Sequence, residues 1–160
     1  MARILLVQDD PEFCEAISDY LKSSPSDELQ YAFNGHAGAA LLSGGRFEIA
    51  LIDANLPDRS GVELARAADN QNVPVLMLSD SPHASAELEC LHYRYLQKPF
   101  AVDVLIAETR QVLLDRRANV NRIKESFSKM GASLDALRAE MAESHRLFDA
   151  IVARLGYWRN

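Results

Sequence analysis

Two hydrophobic periods alternate along the first 117 residues of the chain. Short segments rich in apolar residues, typical of strands, occupy residues 4–7, 29–33, 49–52, 73–78 and 93–96, and those at 4–7 and 49–52 are unbroken apolar runs typical of strands buried on both faces. Segments with apolar residues three and four positions apart, typical of helices with one buried face, begin at Pro11 and Phe100 and cover about 35–44, 60–68 and 84–91. Five strands that alternate with helices predict an α/β fold with a doubly wound parallel sheet.

Polar side chains stand where the predicted strands end. Asp9 and Asp10 follow the first strand, and Asp53 ends the third. Ser79 ends the fourth strand, and Lys98 follows the fifth. In parallel sheets, ligands bind outside the carboxyl ends of the strands, so these five side chains are expected to converge. Any one of these side chains could be an ordinary helix cap or surface charge. That explanation accounts poorly for five such residues that each stand at the end of a predicted strand.

The residue types at this edge favour phosphoryl chemistry. Oxygen ligands without histidine or thiolate point to a hard cation such as Mg²⁺. A carboxylate beside Mg²⁺ and a lysine can attack phosphorus, because both cations neutralise charge on the moving phosphoryl group.

Charge and composition narrow the function further. The 160 residues carry a net charge of −6, which divides into −8 over residues 1–117 and +2 over residues 118–160. An acidic body argues against binding nucleic acid and suits a cation site. No apolar run approaches the roughly 20 residues needed to cross a bilayer, and the N-terminus is too short for a signal peptide. Two cysteines, Cys14 and Cys90, lack metal-ligand spacing, so we expect a cytoplasmic protein without a membrane partner.

Residues 3–117 resemble the receiver domain of bacterial two-component response regulators. The resemblance lies in residues 7–10 (VQDD), 51–57 (LIDANLP, followed by Gly61), 78–79 (LS) and 95–100 (YLQKPF). It implies the flavodoxin-like receiver fold and a phosphoacceptor at Asp53. A histidine kinase or a histidine phosphotransfer protein would deliver the phosphoryl group. The protein would then be no enzyme in the usual sense, although it would assist its own phosphorylation and dephosphorylation.

The resemblance also implies roles for the other strand-end residues. Asp9, Asp10 and Asp53, with the backbone carbonyl of Asn55, would hold Mg²⁺. Ser79 would donate its hydroxyl to the phosphoryl group, and Lys98 would contact a phosphoryl oxygen. The Lys98–Pro99 peptide is often cis in this family. Tyr95 matches the aromatic switch; the alternative is a half-buried tyrosine with its hydroxyl in water.

One position and one short stretch depart from the family pattern. Asp80 follows the site hydroxyl where a small residue is usual, and its carboxylate could repel a phosphodonor, slow attacking water or add to the metal field. Bulky residues, Leu91 to Arg94, precede the switch aromatic where small residues are frequent. Neither departure removes an essential group.

The tail, residues 118–160, carries its own period. Positions alternately three and four apart form a heptad seam in which Ser144 alone is polar: Val120, Ile123, Phe127, Met130, Leu134, Leu137, Met141, Ser144, Phe148, Ile151, Leu155 and Trp158. One helix cannot bury such a stripe, so a homodimer through residues 118–160 is expected. The seam runs unbroken through Gly131, which favours a continuous coiled-coil helix; a helical hairpin that turns at Gly131 is the alternative.

The tail shows no pattern of a nucleic-acid-binding output. Its basic residues are scattered, and no helix-turn-helix pattern is present. Residues 144–146 faintly resemble a kinase phosphoacceptor box, but most of the box is missing and His145 is expected at the surface. The sequence thus predicts a response regulator that signals through protein contacts without a DNA-binding domain. Alternatives are a phosphorylation-independent dimeric scaffold and a fragment of a larger regulator that has lost its effector.

Overall fold

The predicted α/β fold is confirmed. The computed structural model describes residues 2–22, 27–80 and 88–155, in which five parallel strands lie in the order β2-β1-β3-β4-β5. The strands are β1 (Ala2–Val7), β2 (Asp27–Ala32), β3 (Ile49–Asp53), β4 (Val75–Ser79) and β5 (Arg94–Gln97). The helices are α1 (Pro11–Lys22), α2 (Gly35–Gly44), α3 (Gly61–Asn70) and α4 (Val102–Leu155).

Alternation along the strands builds two apolar cores, one on each face of the sheet. In β1, Leu5 and Val7 belong to the core covered by α2 and α3, whereas Ile4 and Leu6 belong to the core covered by α1 and α4. The side chains of a strand point to opposite faces in turn, so one apolar run serves both cores. This explains why residues 4–7 of β1 form a continuous apolar run.

Several element boundaries differ from the prediction. Strand β2 begins at Asp27 rather than residue 29, because the Asp27 carboxylate accepts a hydrogen bond from the Ala2 backbone nitrogen at 3.0 Å and extends the pairing with β1. Strand β4 begins at Val75 rather than residue 73, and α4 begins at Val102 rather than Phe100. The helix predicted over residues 84–91 lies largely outside the described residues; residues 88–90 are helical.

Helix α4 is continuous over its 54 residues and passes through Gly131, so the structure has one helix rather than a hairpin. Backbone contacts divide the chain into two units, Met1–Arg116 and Arg117–Asn160. In the first unit, the Arg116 guanidinium donates to the carbonyl oxygens of Glu48 at 2.9 Å and Asn72 at 2.8 Å. Among the described residues, no helix is both long and apolar enough to cross a membrane.

Candidate functional site

Asp53 is a buried carboxylate at the carboxyl end of the central strand β3. Its residue is only 2 % exposed. Oδ1 accepts a hydrogen bond from the Asn55 backbone nitrogen at 2.9 Å, and Oδ2 accepts one from Lys98 Nζ. A buried charge is costly unless it is paired and hydrogen-bonded, and both conditions are met here. The structure therefore pairs the Asp53 carboxylate with the Lys98 side chain at the predicted edge of the sheet.

Lys98 reaches Asp53 from the loop between β5 and α4. Its backbone nitrogen donates to the Ser79 carbonyl oxygen at 2.7 Å, which fixes the start of the loop to the end of β4. The Lys98–Pro99 peptide is cis, as predicted. The ammonium also donates to Gln8 Oε1 at 3.2 Å and lies 6.0 Å from the centroid of the Phe13 ring. The lysine head is thus surrounded by an anion, an amide and an aromatic face.

The loop after β1 directs its two carboxylates differently. Asp9 Oδ1 accepts from Gln8 Nε2 at 3.1 Å, which connects Asp9 through Gln8 to Lys98. Asp10 Oδ1 accepts from the backbone nitrogens of Glu12 at 3.0 Å and Phe13 at 3.3 Å, so it caps the N-terminus of α1. Asp9 and Asp10 are both exposed, whereas Gln8 is buried.

A tight loop between β3 and α3 positions the backbone next to Asp53. The Gly61 nitrogen donates to the Ala54 carbonyl oxygen at 2.9 Å, and Ser60 caps α3 through the Val62 nitrogen at 3.2 Å. A Cβ at Gly61 would lie 1.9 Å from the Asp53 carbonyl oxygen. Only glycine fits at this approach, so the match to the family motif at Gly61 has a steric reason.

The same loop also holds the start of α2. Asp58 accepts from the backbone nitrogens of Gly35 at 2.7 Å and His36 at 2.8 Å. The hydrogen bond from Gly35 is the main cause of a lowered pKa at Asp58. Because these donors belong to the first turn of α2, Asp58 joins the loop after Asp53 to the neighbouring helix.

The end of β4 contributes Ser79 and Asp80. Ser79 is fully buried, and its neighbour Leu78 is in register with Asp53 on β3. Asp80 is exposed, and its Oδ1 accepts a hydrogen bond from Asn55 Nδ2 at 2.9 Å. A side-chain hydrogen bond therefore connects the segment that follows β3 with the segment that follows β4.

Tyr95 on β5 is half-buried, and its hydroxyl donates to Glu89 Oε1 at 2.6 Å. This hydrogen bond is the main cause of the raised pKa of Tyr95. The contact is exposed, and both the switch role and the alternative of a half-buried tyrosine with its hydroxyl at the surface stay predictions. Tyr93 donates in the same way to Asp69 Oδ2 at 2.6 Å, and burial with this bond raises its pKa to about 12.

The donor chemistry of the strand-end residues fits Mg²⁺, since carboxylates and a carbonyl offer only hard oxygen ligands. Cys14 is buried under the loop after β1, and burial raises its thiol pKa to about 11, which leaves it an inert neighbour. Across residues 2–22, 27–80 and 88–155, no three His, Cys, Asp or Glu side chains form a group that could hold a metal ion. The oxygen ligands are of the right kind but are not gathered around one point.

Three residues with clear structural roles were missed by sequence reasoning. They are Gln8, which connects Asp9 and Lys98; Asp58, which accepts hydrogen bonds from the first turn of α2; and Arg116, which binds two carbonyl oxygens. Gln8 could have been noticed as a polar residue that directly follows a buried strand. Asp58 and Arg116 act on backbone groups far away in the sequence, and no local pattern signals such contacts. Arg94, the last of the bulky residues before Tyr95, pairs with Asp115 of α4 at 2.9 Å.

Comparisons with known proteins agree with this geometry. The family model described as response regulator receiver domain matches residues 4–110. The cell cycle response regulator CtrA of Brucella ovis is 30% identical over 145 residues, which cover 88% of this chain and 62% of CtrA. The chain thus spans less than two thirds of the length of this relative.

Solved structures show the same fold. A CheY-like receiver domain protein from Methanospirillum hungatei has a TM-score of 0.68 at 24% identity, over 74% of this chain and 98% of its own. The response regulator TrrA of Thermotoga maritima, solved in complex with Mg²⁺ and BeF, has a TM-score of 0.62 at 24% identity, over 70% of this chain and 99% of its own.

Proposed function

The chain belongs to the response regulator receiver domain family, and we propose that it accepts a phosphoryl group on Asp53 from a histidine kinase or a histidine phosphotransfer protein. The observation that carries the proposal is the buried Asp53 carboxylate, held at the edge of the sheet by Lys98 and by the Asn55 backbone nitrogen. A cytoplasmic location stays a prediction, as does the absence of a DNA-binding domain. The protein would act as a phosphoacceptor rather than as an enzyme.

The proposed transfer is a displacement at phosphorus. A carboxylate oxygen of Asp53 forms the new O–P bond, the N–P bond of the phosphohistidine breaks, and the imidazole leaves with the electron pair of that bond. Lys98 stays close enough to pair with an oxygen of the transferred group, and the Ser79 hydroxyl is the predicted donor to another. Mg²⁺, when bound, would neutralise charge on the phosphoryl group. Asp9, Asp53 and the Asn55 carbonyl would hold it, whereas Asp10, the fourth predicted ligand, accepts hydrogen bonds from the first turn of α1 instead.

The magnesium proposal rests on the residues of this chain. TrrA was solved with Mg²⁺ and BeF, but at 24% identity that structure establishes a shared fold alone. What supports the proposal here is a donor set made only of oxygen atoms at the carboxyl edge of a parallel sheet.

Phosphorylation with a small phosphodonor tests the proposal directly. The purified protein is incubated with acetyl phosphate, with and without MgCl₂, and its intact mass is measured. We expect a gain of one phosphoryl group that requires Mg²⁺ and is absent in Asp53→Asn, a nearly isosteric control that keeps the shape of the site. A folded protein that gains no mass, or an Asp53→Asn variant that gains as much, would contradict it.

We also propose that residues 118–160 dimerise. Seam residues of α4 are more than half exposed: Ile123, Phe127, Met130, Leu134, Leu137, Met141, Phe148 and Ile151. Full burial of one such side chain contributes about 1.5–3 kcal/mol, so a second copy of the seam would be stabilising. The predicted ends of the seam, at the Leu155 side chain and at Trp158, lie outside the described residues.

The dimer is tested by the mass of the particle in solution. Light scattering after gel filtration should give twice the chain mass for the wild type and the monomer mass for Leu137→Glu, which puts a charge in the seam. Ala139→Glu adds the same charge at an exposed position outside the seam and should leave the dimer intact. A monomeric wild type, or equal behaviour of both variants, would refute dimerisation through the seam.

One observation favours a second function, a scaffold that needs no phosphate. Asp80 accepts a hydrogen bond from Asn55 and so keeps a carboxylate beside the site, where it would repel an anionic donor. If the wild type takes no phosphoryl group and Asp80→Ala does, the scaffold describes the native protein better.

A further inference from the structure

Gln8 is a buried side chain at the centre of the site, and the proposed phosphoryl transfer gives it no role. It is 4 % exposed. Its Oε1 accepts from Lys98 Nζ at 3.2 Å, and its Nε2 donates to Asp9 Oδ1 at 3.1 Å. Its backbone nitrogen donates to the Ala32 carbonyl oxygen at 3.0 Å, which continues the pairing of β1 with β2 by one residue. Both the backbone and the amide of Gln8 are therefore fixed in place.

The chemistry of the amide suits this place. A carboxylate could accept from Lys98 but could not donate to Asp9, and an ammonium could do only the reverse. A neutral amide does both at once. It completes a continuous series of hydrogen-bonded side chains, Asp53–Lys98–Gln8–Asp9.

Asp10 does not belong to this series. Its Oδ1 is bound to the first turn of α1 through two backbone nitrogens. A side-chain oxygen in this position satisfies donors that the helix leaves unpaired. The loop after β1 thus offers the site one carboxylate and one amide, while its second carboxylate serves the helix.

We propose that Gln8 is a positioning residue of the phosphoacceptor site. Its amide oxygen holds the Lys98 ammonium beside Asp53, and its amide nitrogen holds the Asp9 carboxylate in the same hydrogen-bonded series. Being neutral, Gln8 also limits the affinity of the site for a divalent cation, and Asp10 contributes chiefly as the cap of α1. The inference rests on the proposed function, because it assigns Gln8 a role in the proposed phosphoacceptor site. It concerns how this chain tunes the site rather than whether the site is used.

Two substitutions at Gln8 separate its hydrogen bonds from its charge. Gln8→Met keeps the length of the side chain and removes both bonds, so the phosphorylation rate with acetyl phosphate at saturating MgCl₂ should fall about tenfold. Gln8→Glu adds a carboxylate facing Asp9, so Mg²⁺ measured by titration calorimetry with MgCl₂ alone should bind about tenfold more tightly, because the affinity of oxygen sites increases with ligand charge. A purely structural residue would not change rate and cation affinity in this pattern.

A second pair of variants separates the two aspartates. Asp10→Ser keeps an N-capping oxygen and removes the carboxylate, so its Mg²⁺ affinity should stay within about threefold of the wild type. Asp9→Asn removes the carboxylate that Gln8 holds and should weaken Mg²⁺ binding at least tenfold. Circular dichroism of all four variants shows whether they are folded.

Three results would overturn the inference: a Gln8→Met variant phosphorylated at the wild-type rate, a Gln8→Glu variant with unchanged Mg²⁺ affinity, or an Asp10→Ser variant as impaired as Asp9→Asn. The proposed function fails differently, through a wild type that gains no phosphoryl group. In that case the Mg²⁺ titrations of Gln8→Glu, Asp10→Ser and Asp9→Asn still decide the inference on their own.

Discussion

Gly61→Ala should damage both the stability and the phosphorylation of this protein, although Gly61 has no functional group. The new Cβ would lie 1.9 Å from the Asp53 carbonyl oxygen, 2.8 Å from the Asp53 carbonyl carbon and 3.0 Å from the Ala54 Cα. All three atoms belong to the backbone of a buried segment, so no flexible side chain can move aside. The loop itself must shift by more than an ångström to restore ordinary contact.

The size of the effect follows from what that shift disrupts. Overpacking of a well-packed interior costs about 1–3 kcal/mol. The hydrogen bond from the Gly61 nitrogen to the Ala54 carbonyl oxygen, 2.9 Å long, contributes about 1 kcal/mol more when it is lost. We therefore expect the free energy of unfolding to fall by about 3 kcal/mol. Because the displaced backbone carries Asp53, phosphorylation by acetyl phosphate should slow as well.

Urea unfolding followed by circular dichroism measures the loss, and two other glycines supply matched controls. Beyond the chain neighbours and the adjoining backbone of the same helix, no atom of the described residues lies within 4 Å of a Cβ built at Gly44 or at Gly131, and both glycines are helical. Alanine at either position should leave stability unchanged or raise it by up to about 1 kcal/mol. The reasoning is refuted if the free energy of unfolding of Gly61→Ala lies within about 0.5 kcal/mol of the wild-type value, which is the least that the loss of one hydrogen bond should cost.

Three further outcomes are expected. Asp58→Asn should lower the free energy of unfolding at neutral pH and match the wild type in acid. Because the pKa of Asp58 is lowered in the folded protein, its carboxylate stabilises the fold above a pH of about 3.8, and this contribution is lost as the pH falls through the folded-state pKa. Urea unfolding at several pH values measures the difference. Arg116→Met should cost about 2 kcal/mol in the same assay, while exposed Arg117→Met should cost nothing measurable. The pKa of Tyr93 is raised to about 12, so its contribution to stability is complete below pH 10 and is lost as the pH rises through 12. Tyr93→Phe should remove one late-titrating phenol from an ultraviolet absorbance titration.

Sequence patterns predicted the elements well where burial sets the pattern. Strands β1 and β3 are covered on both faces, and their apolar runs located them to within two residues. Strand β2 lies at the edge of the sheet and is only partly buried over most of its length, so its apolar signal began two residues late. An edge strand has one paired side and weaker burial, and its limits depend on contacts such as that between Asp27 and Ala2.

The strand-end residues could be predicted as a group, and Lys98 beside Asp53 follows that expectation. The geometry of parallel strands explains this, because their carboxyl ends share one edge of the sheet regardless of side-chain detail. The direction of each side chain in the loops was not predictable. Asp10 follows Asp9 by one residue, yet one caps α1 and the other joins the series that ends at Asp53.

The sequence by itself determined the fold class, the edge that carries the site and the continuous apolar seam of the tail, because each depends on a periodicity that the backbone imposes locally. Only the tertiary structure decided that Gln8 lies between Asp9 and Lys98, that Asp58 binds the first turn of α2 and that Arg116 binds the carbonyl oxygens of Glu48 and Asn72. These contacts join residues that are distant in the chain, apart from Gln8 and Asp9. Their partners are backbone and side-chain groups whose positions exist only once the sheet has formed.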